Sequence, residues 1–239
     1  MPPLISSPIT VDLHSHVLPG IDDGSRDITE SLALLRLLHD QGVSIVCATP
    51  HFHTHGNTIE TFLSQRERAV RELRLAADSD CPEIRLGAEI SYYDGISRSD
   101  SIRELAIEGT PLLLVEMPFG AWSQRMISDI IALNSSGHVR VILAHIERYL
   151  LLEPPSVFSQ LLHSGVLMQS NADFFLSRYG KRVGLHMLKK GRLHALGSDC
   201  HSTGSRPPRI AEAAAHIRSV GGEDALEPLI LFDRAFFPL

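Results

Sequence analysis

A closed α/β barrel of parallel strands is the architecture that this 239-residue sequence predicts. Two observations lead there. Short β-type runs alternate with amphipathic helical stretches along the chain, the pattern of parallel βα units. Six of the seven strand runs also deliver His, Asp or Glu at or just beside their C-terminal ends. A closed barrel gathers such ends onto one face, whereas in an open doubly wound sheet only those near the switch point would meet.

The strand runs are Val11–His14, Ser44–Thr49, Glu83–Ile90, Leu112–Met117, Val139–Ala144, Leu167–Ser170 and His194–Ser198. Between them Ile28, Leu32, Leu35 and Leu38 recur at helical spacing, as do Phe62, Ala69, Leu73 and Ala76. Ser123–Leu133, Pro155–Leu162, Ser177–Leu188 and Ile210–Val220 read as further helices. Gly42, Gly137, Gly165, Gly191 and Gly221 stand where helix C-terminal stops belong. No low-complexity tract or Gly/Ser linker divides the chain, so one domain over residues 1–239 is expected.

Composition narrows the function. Hydrophobic residues at 44% and charged residues at 21% are ordinary globular values. With 22 Lys and Arg against 28 Asp and Glu, the net charge of −6 argues against a general nucleic-acid binder. No apolar run approaches the roughly 18 residues of a membrane span. The opening MPPLISSPIT has neither the basic patch nor the apolar stretch of a signal peptide. Cys47, Cys81 and Cys200 are too few and too scattered for a disulfide scaffold. A reduced, cytoplasmic protein is expected.

The strand ends carry the chemistry. They read Asp12-Leu13-His14-Ser15-His16, Ala48-Thr49-Pro50-His51, Gly87-Ala88-Glu89, Leu114-Val115-Glu116, Leu143-Ala144-His145 and Gly197-Ser198-Asp199-Cys200-His201. Residues i and i+2 of a strand share a face, so His14 with His16, and Asp199 with His201, can each serve one site. A lone histidine at a strand end is ordinarily a hydrogen-bonded polar group; the repetition at six ends is what argues for metal. Mixed nitrogen and carboxylate donors suit Zn, Mn or Fe better than Ca or Mg alone. These eight residues, with Asp23 in the first loop, exceed one tetrahedral site and suggest two or three ions. Cys200 falls on the opposite strand face and Cys47 lies four residues before His51, so neither thiol is placed to ligate.

Asp12-Leu13-His14-Ser15-His16, Pro19-Gly20-Ile21-Asp22-Asp23-Gly24 and Ala48-Thr49-Pro50-His51 together resemble the PHP metallohydrolase superfamily. His145-Ile146-Glu147-Arg148-Tyr149 and the segment GSDCHSTGSR from Gly197 to Arg206 narrow the likeness. They resemble the bacterial manganese-dependent protein-tyrosine phosphatases of capsule and exopolysaccharide systems, the CpsB/CapC type. The resemblance runs from about Val11 to about Val220. It implies a distorted (β/α)7 barrel with a trinuclear centre at the C-terminal strand ends. His14, His16, Glu89 and Asp199 would hold one ion; Glu89, Glu116 and His145 a second; Asp23, His51 and His201 a third. The implied cofactor is Mn²⁺, with Fe or Zn as alternatives, supplying a metal-bridging hydroxide. Arg148 and Arg206 stand where cations would clamp the phosphoryl oxygens, a task for which a planar guanidinium is suited. The implied substrate is a phosphotyrosine protein, a bacterial tyrosine autokinase. No residue stands out as general acid, and tyrosinate is already a fair leaving group.

Asp22 reads as support for the turn before Gly24, and His53 and His55 as rim residues. The tail from Phe232 to Leu239 departs from the family pattern; its aromatics could pack under the barrel or against another subunit, which leaves a homo-oligomer open. Cys200 to Arg206 matches the C-x5-R spacing of cysteine-dependent phosphatases, but a thiol facing the barrel wall cannot sit at the base of a phosphate loop. Two other functions compete: a small-molecule phosphatase of the histidinol-phosphate type, and a catalytically silent metal-binding regulatory module.

Overall fold

The computed structural model describes residues 8–78 and 80–238; residues 1–7, on which most of the signal-peptide expectation rests, lie outside it. Every strand pairing among the described residues is parallel and follows chain order around a ring. β1 (Val11–Ser15) pairs with β2 (Ile45–Ala48), and β2 with β4 (Glu83–Leu86). β3 (His51–Phe52) follows β2 and pairs with β5 (Glu89–Ser91), which follows β4. From β5 the ladder passes to β6 (Leu112–Glu116), β7 (Arg140–Leu143), β8 (Leu167–Asn171) and β9 (Ala195–Gly197). The ring then closes. Ser15 bridges Cys200, the Asp199 N–H donates to the His14 carbonyl at 2.7 Å, and the His16 N–H donates to the Cys200 carbonyl at 3.0 Å. The architecture is the expected distorted barrel.

The predicted strand Glu83–Ile90 is broken into β4 and β5, and the one over Ser44–Thr49 is followed by a separate short strand, β3; both interruptions position the site. Pro50 has no N–H to offer a ladder, and the following His51 N–H goes instead to the Asp22 carboxylate at 3.0 Å. At Gly87 a Cβ would come within 2.9 Å of the Ile107 side chain, and the Gly87 carbonyl accepts from buried Arg66 at 2.6 Å. The displaced upper segments place His51 directly opposite Glu89.

Helices follow most strands, and polar caps set their starts. Asp27 caps α1 (Ile28–Asp40), Thr58 caps α2 (Ile59–Ala76) and Ser123 caps α3 (Gln124–Ser135), each accepting a first-turn N–H. α4 (Pro155–His163) begins on a proline, whose missing N–H costs nothing there. The third βα unit has only two 3₁₀ turns, Ile96–Arg98 and Ile102–Leu105. The helix expected over Ser177–Leu188 is α6 (Gly180–Lys189), and a short helix that was not expected, α5 (Ala172–Leu176), precedes it. Gly180 abuts the Phe174 carbonyl with no room for a Cβ, which fixes the joint between them. In α7 (Ile210–Gly221) the expected stop at Gly221 is helical; the left-handed residue is Gly222, with φ 85°. α8 (Glu227–Phe236) was not legible as a helix.

Two apolar layers result. One lies between strands and helices; the other fills the barrel with Val11, Ile45, Leu112, Leu114, Ile142 and Leu167. Phe232 and Phe237 join this inner cluster, so the tail packs under the barrel. Between them buried Asp233 accepts the Thr10 and Val11 N–H groups at 3.1 and 3.3 Å, and burial pushes its carboxyl up to about 7. A raised folded-state pKa means that this carboxyl is fully tolerated below about 4 and penalises the fold as pH climbs through 7. Asp233→Asn keeps an acceptor and removes the charge. Its stability advantage over the parent should therefore grow between pH 4 and 7, as read by urea unfolding. An advantage independent of pH would contradict the assignment.

Candidate metal centre

All nine predicted donors stand at the C-terminal mouth of the barrel, around Glu89. The Glu89 Oε2 lies 3.1 Å from His14 Nε2, 3.2 Å from His16 Nε2 and 3.0 Å from His51 Nδ1. Its Oε1 lies 2.7 Å from His145 Nε2, which is itself 3.4 Å from Glu116. Asp199 Oδ1 is 3.6 Å from His14 Nε2 and 3.5 Å from His16 Nε2. Asp23 reaches His51 at 3.3 Å and His201 at 3.4 Å.

Local distortions aim these side chains. The pairing of β1 with β2 shifts register between Asp12 and Ser15, so Val11 and Leu13 fill the barrel while His14 and His16 both reach the site. Bulges of this kind commonly re-aim side chains at functional sites. Ala144 packs in the barrel interior, and strict alternation would turn the next residue outward. A left-handed backbone at His145, φ 31°, brings its ring back in. Asp199, φ 52°, is the other non-glycine residue at positive φ among the described residues. Both backbones are strained. Gly197 passes so close to His14 that a Cβ would lie 2.6 Å from the His14 Cβ.

The donor set fits metal ions. His16 Nδ1 faces Asp22 at 2.7 Å, His201 Nδ1 the Asp199 carbonyl at 3.0 Å and His14 Nδ1 the Gln169 Oε1 at 3.4 Å. Acceptors on Nδ1 select the tautomer whose Nε2 lone pair is free for a metal. His14 and His16 direct those nitrogens to within 3.1 Å of one another. Metal–ligand bonds of about 2.0–2.2 Å imply ligand–ligand separations of roughly 3.0–3.6 Å, the spacing found around Glu89. Glu89 Oε2 and His201 Nε2 are buried yet lack a hydrogen bond of good geometry. Three donor groups lie close enough to share an ion: His14, His16 and Glu89; His51, Glu89 and Glu116; His16, Asp23, His51 and His201. This division overlaps the family's but gives His16 and His51 to two groups each and leaves His145 and Asp199 in none.

Charge is concentrated here. Burial raises the Glu89 carboxyl, but His14, His145 and His16 outweigh it and hold it well below the usual range. Burial opposes protonation of His16, yet Asp199, Asp22 and Glu89 push its pKa well up. His201 goes the other way, down to about 4, through burial and the charges of His16 and Arg206.

Arg148 and Arg206 both point at Asp199. Arg148 bonds Glu116 and the Asp199 Oδ2 at 3.1 Å each, and Arg206 reaches the same Oδ2 at 2.8 Å. Both are partly exposed at the mouth. Asp22 does more than support its turn: beyond the Gly24 N–H at 2.9 Å it holds His16 and the His51 backbone. His53 and His55 are exposed rim residues, with His53 stacked on His51 at 5.4 Å and bonded to Ser91 at 2.8 Å.

Cys200 is fully buried in the layer outside the barrel, and burial pushes its thiol far up. It cannot present a thiolate to the mouth. Cys200→Ala should leave any turnover at the metal centre unchanged, measured as initial rate at saturating metal. Lost turnover in a variant of unchanged Tm would restore the thiol route.

Among known proteins, the family model for capsular polysaccharide synthesis, CpsB/CapC, matches residues 10–235. Tyrosine-protein phosphatase CpsB of Streptococcus pneumoniae is 30% identical over 222 residues, covering 85% of this chain and 87% of that protein. Tyrosine-protein phosphatase YwqE of Bacillus subtilis is 28% identical over 212 residues, covering 85% and 82%. In work on the crystal structures of YwqE and CpsB, described there as metal-dependent tyrosine phosphatases, one chain superposes with a TM-score of 0.77. That chain is 22% identical, with 90% of this chain and 89% of that one covered.

Proposed function

The chain belongs to the CpsB/CapC family, and from that premise we propose that it is a metal-dependent protein-tyrosine phosphatase. The finer reading is a cytoplasmic enzyme working as one domain, loaded with two or three Mn²⁺ ions and acting on a tyrosine autokinase of capsule or exopolysaccharide synthesis. The observation that carries it is the convergence of two guanidinium groups on Asp199, at one edge of the clustered histidine and carboxylate donors. Among the described residues no helix is long and apolar enough to cross a membrane.

His14, His16, Asp23, His51, Glu89, Glu116, His145, Asp199 and His201 would hold the ions. Bound there, divalent metal lowers the pKa of water and neutralises charge on phosphoryl oxygens. The chain's own task is orientation. Arg148 and Arg206 now share Asp199 Oδ2; a phosphoryl group at the mouth competes for their forks and is held by two oxygens at a time. Asn171 stays on Asp199 at 2.7 Å, so that carboxylate is not stripped of partners when the arginines turn to substrate. The leaving phenol, with a pKa of about 10, needs no dedicated strong acid.

The test is phosphate release from a phosphotyrosine peptide, a phosphoserine peptide and histidinol phosphate, each with Mn²⁺ and again after chelation. Turnover confined to phosphotyrosine and lost with chelator is expected. Preference for histidinol phosphate would move the protein to the small-molecule class, and no turnover at full metal occupancy would leave the regulatory-module reading.

A further inference from the structure

β8 supplies no acidic or histidine donor to the mouth, yet it runs between β7 and β9, the strands that lead into His145 and Asp199. Gln169 and Asn171, two residues apart, both point there. Gln169 Oε1 accepts the His145 N–H at 2.7 Å. Gln169 Nε2 donates to Asn171 Oδ1 at 3.0 Å. Asn171 Nδ2 donates to Asp199 Oδ2 at 2.7 Å. The chain of bonds has one possible direction. A backbone N–H can only donate and a carboxylate can only accept, so both amide orientations are fixed from the two ends.

The ends of this chain are His145 and Asp199, the same two residues held in left-handed backbone. Such strain persists only where the surroundings over-determine it. The Gln169 carbonyl also faces His14 Nδ1 at 3.4 Å, so one amide oxygen serves the kink at His145 and the tautomer of His14. Gln169 is fully buried, and Asn171 is anchored in turn by its own N–H on Glu147 at 3.1 Å.

We propose that Gln169 and Asn171 are positioning residues that act as one amide bridge, holding His145 and Asp199 jointly in their metal-binding poses. The proposal rests on the metal-site reading above. Because the bridge is a single directional chain, cutting it at either amide has much the same consequence. Partners beyond the metal ligands commonly account for 10–100-fold in metal affinity, and each of Gln169→Ala and Asn171→Ala should lose about that factor for Mn²⁺.

The experiment is calorimetric Mn²⁺ titration of the full chain as wild type, Gln169→Ala, Asn171→Ala and the double variant, with Tm measured free of metal and loaded. Gln169→Glu is the directional control. It keeps an acceptor for the His145 N–H but has no N–H for Asn171, and should bind Mn²⁺ as poorly as Gln169→Ala. The double variant should be no weaker than the weaker single, since the bridge is broken once. Metal-free Tm should fall, since truncating a buried amide leaves the His145 N–H unpaired, but by less than the loaded Tm, so the Tm gain on loading shrinks. Singles whose losses multiply in the double, a Gln169→Glu that binds like wild type, or a metal-free Tm that falls as far as the loaded one would overturn the bridge. A wild type that takes up no Mn²⁺ would overturn the metal reading and the bridge with it. Variants that bind as tightly as wild type would overturn the bridge alone.

Discussion

Glu89→Gln should lower kcat/KM for a phosphotyrosine peptide by about 10³-fold or more, with Mn²⁺ content reduced in proportion. The size follows from what the carboxylate touches. Its two oxygens are the common point of four histidine rings, at 2.7–3.2 Å, and it belongs to two of the three donor groups. Replacing it removes a shared negative charge from more than one ion. Several kcal/mol of charge stabilisation depend on those ions, and every 1.36 kcal/mol is tenfold in rate. The fold should survive, because a neutral amide can still donate to the neighbouring ring nitrogens. Elemental analysis beside steady-state kinetics checks this. Full metal content with activity within tenfold of the parent would show that Glu89 is not the shared ligand.

Arg206→Ala and Arg148→Ala should each lose about 10²–10³ in kcat/KM while retaining metal. Removing a preorganised donor from a developing oxyanion costs about that much. The split between the two effects is diagnostic. Both side chains are partly exposed, and Asp199 keeps Asn171 and the other arginine when one is lost. Stability should therefore barely move. Arg206→Lys should recover little, since a point charge cannot offer the planar fork. Equal kcat/KM in wild type and Arg206→Ala would remove Arg206 from the substrate's path.

Much of the site was legible because its placement is local. Once the strand runs are found, their ends gather at one mouth of the barrel, and the i, i+2 spacing of His14 with His16 and Asp199 with His201 marked them as pairs for one site. Asp23 had no such pattern, and only the resemblance chose it over Asp22 as a ligand; the structure sets it 3.3 and 3.4 Å from His51 and His201. Asp22 was read for its turn only, since its bond to the ring of His16 depends on how the loop folds back. Gln169 and Asn171 carry no signal, because amides at a strand end are common and their partners lie 24 and 28 residues away.

The fold divides the same way. Apolar periodicity placed seven strand runs in order, and most helices; the structure has nine strands among the described residues. Periodicity could not show that the run over Glu83–Ile90 breaks at Gly87 or that a further short strand follows Pro50, because each depends on what the neighbouring strand and Ile107 leave room for. The tail's two alternatives were settled by volume: the barrel has an open lower end, and Phe232 and Phe237 fill it. What the sequence by itself determined is the chemistry and its strand-end address, because side-chain direction in a strand repeats every two residues. What only the tertiary structure decided is aim: the shift in β1, the left-handed turns at His145 and Asp199, and the amides that hold them. Those depend on contacts between chain segments far apart, and no local period encodes them.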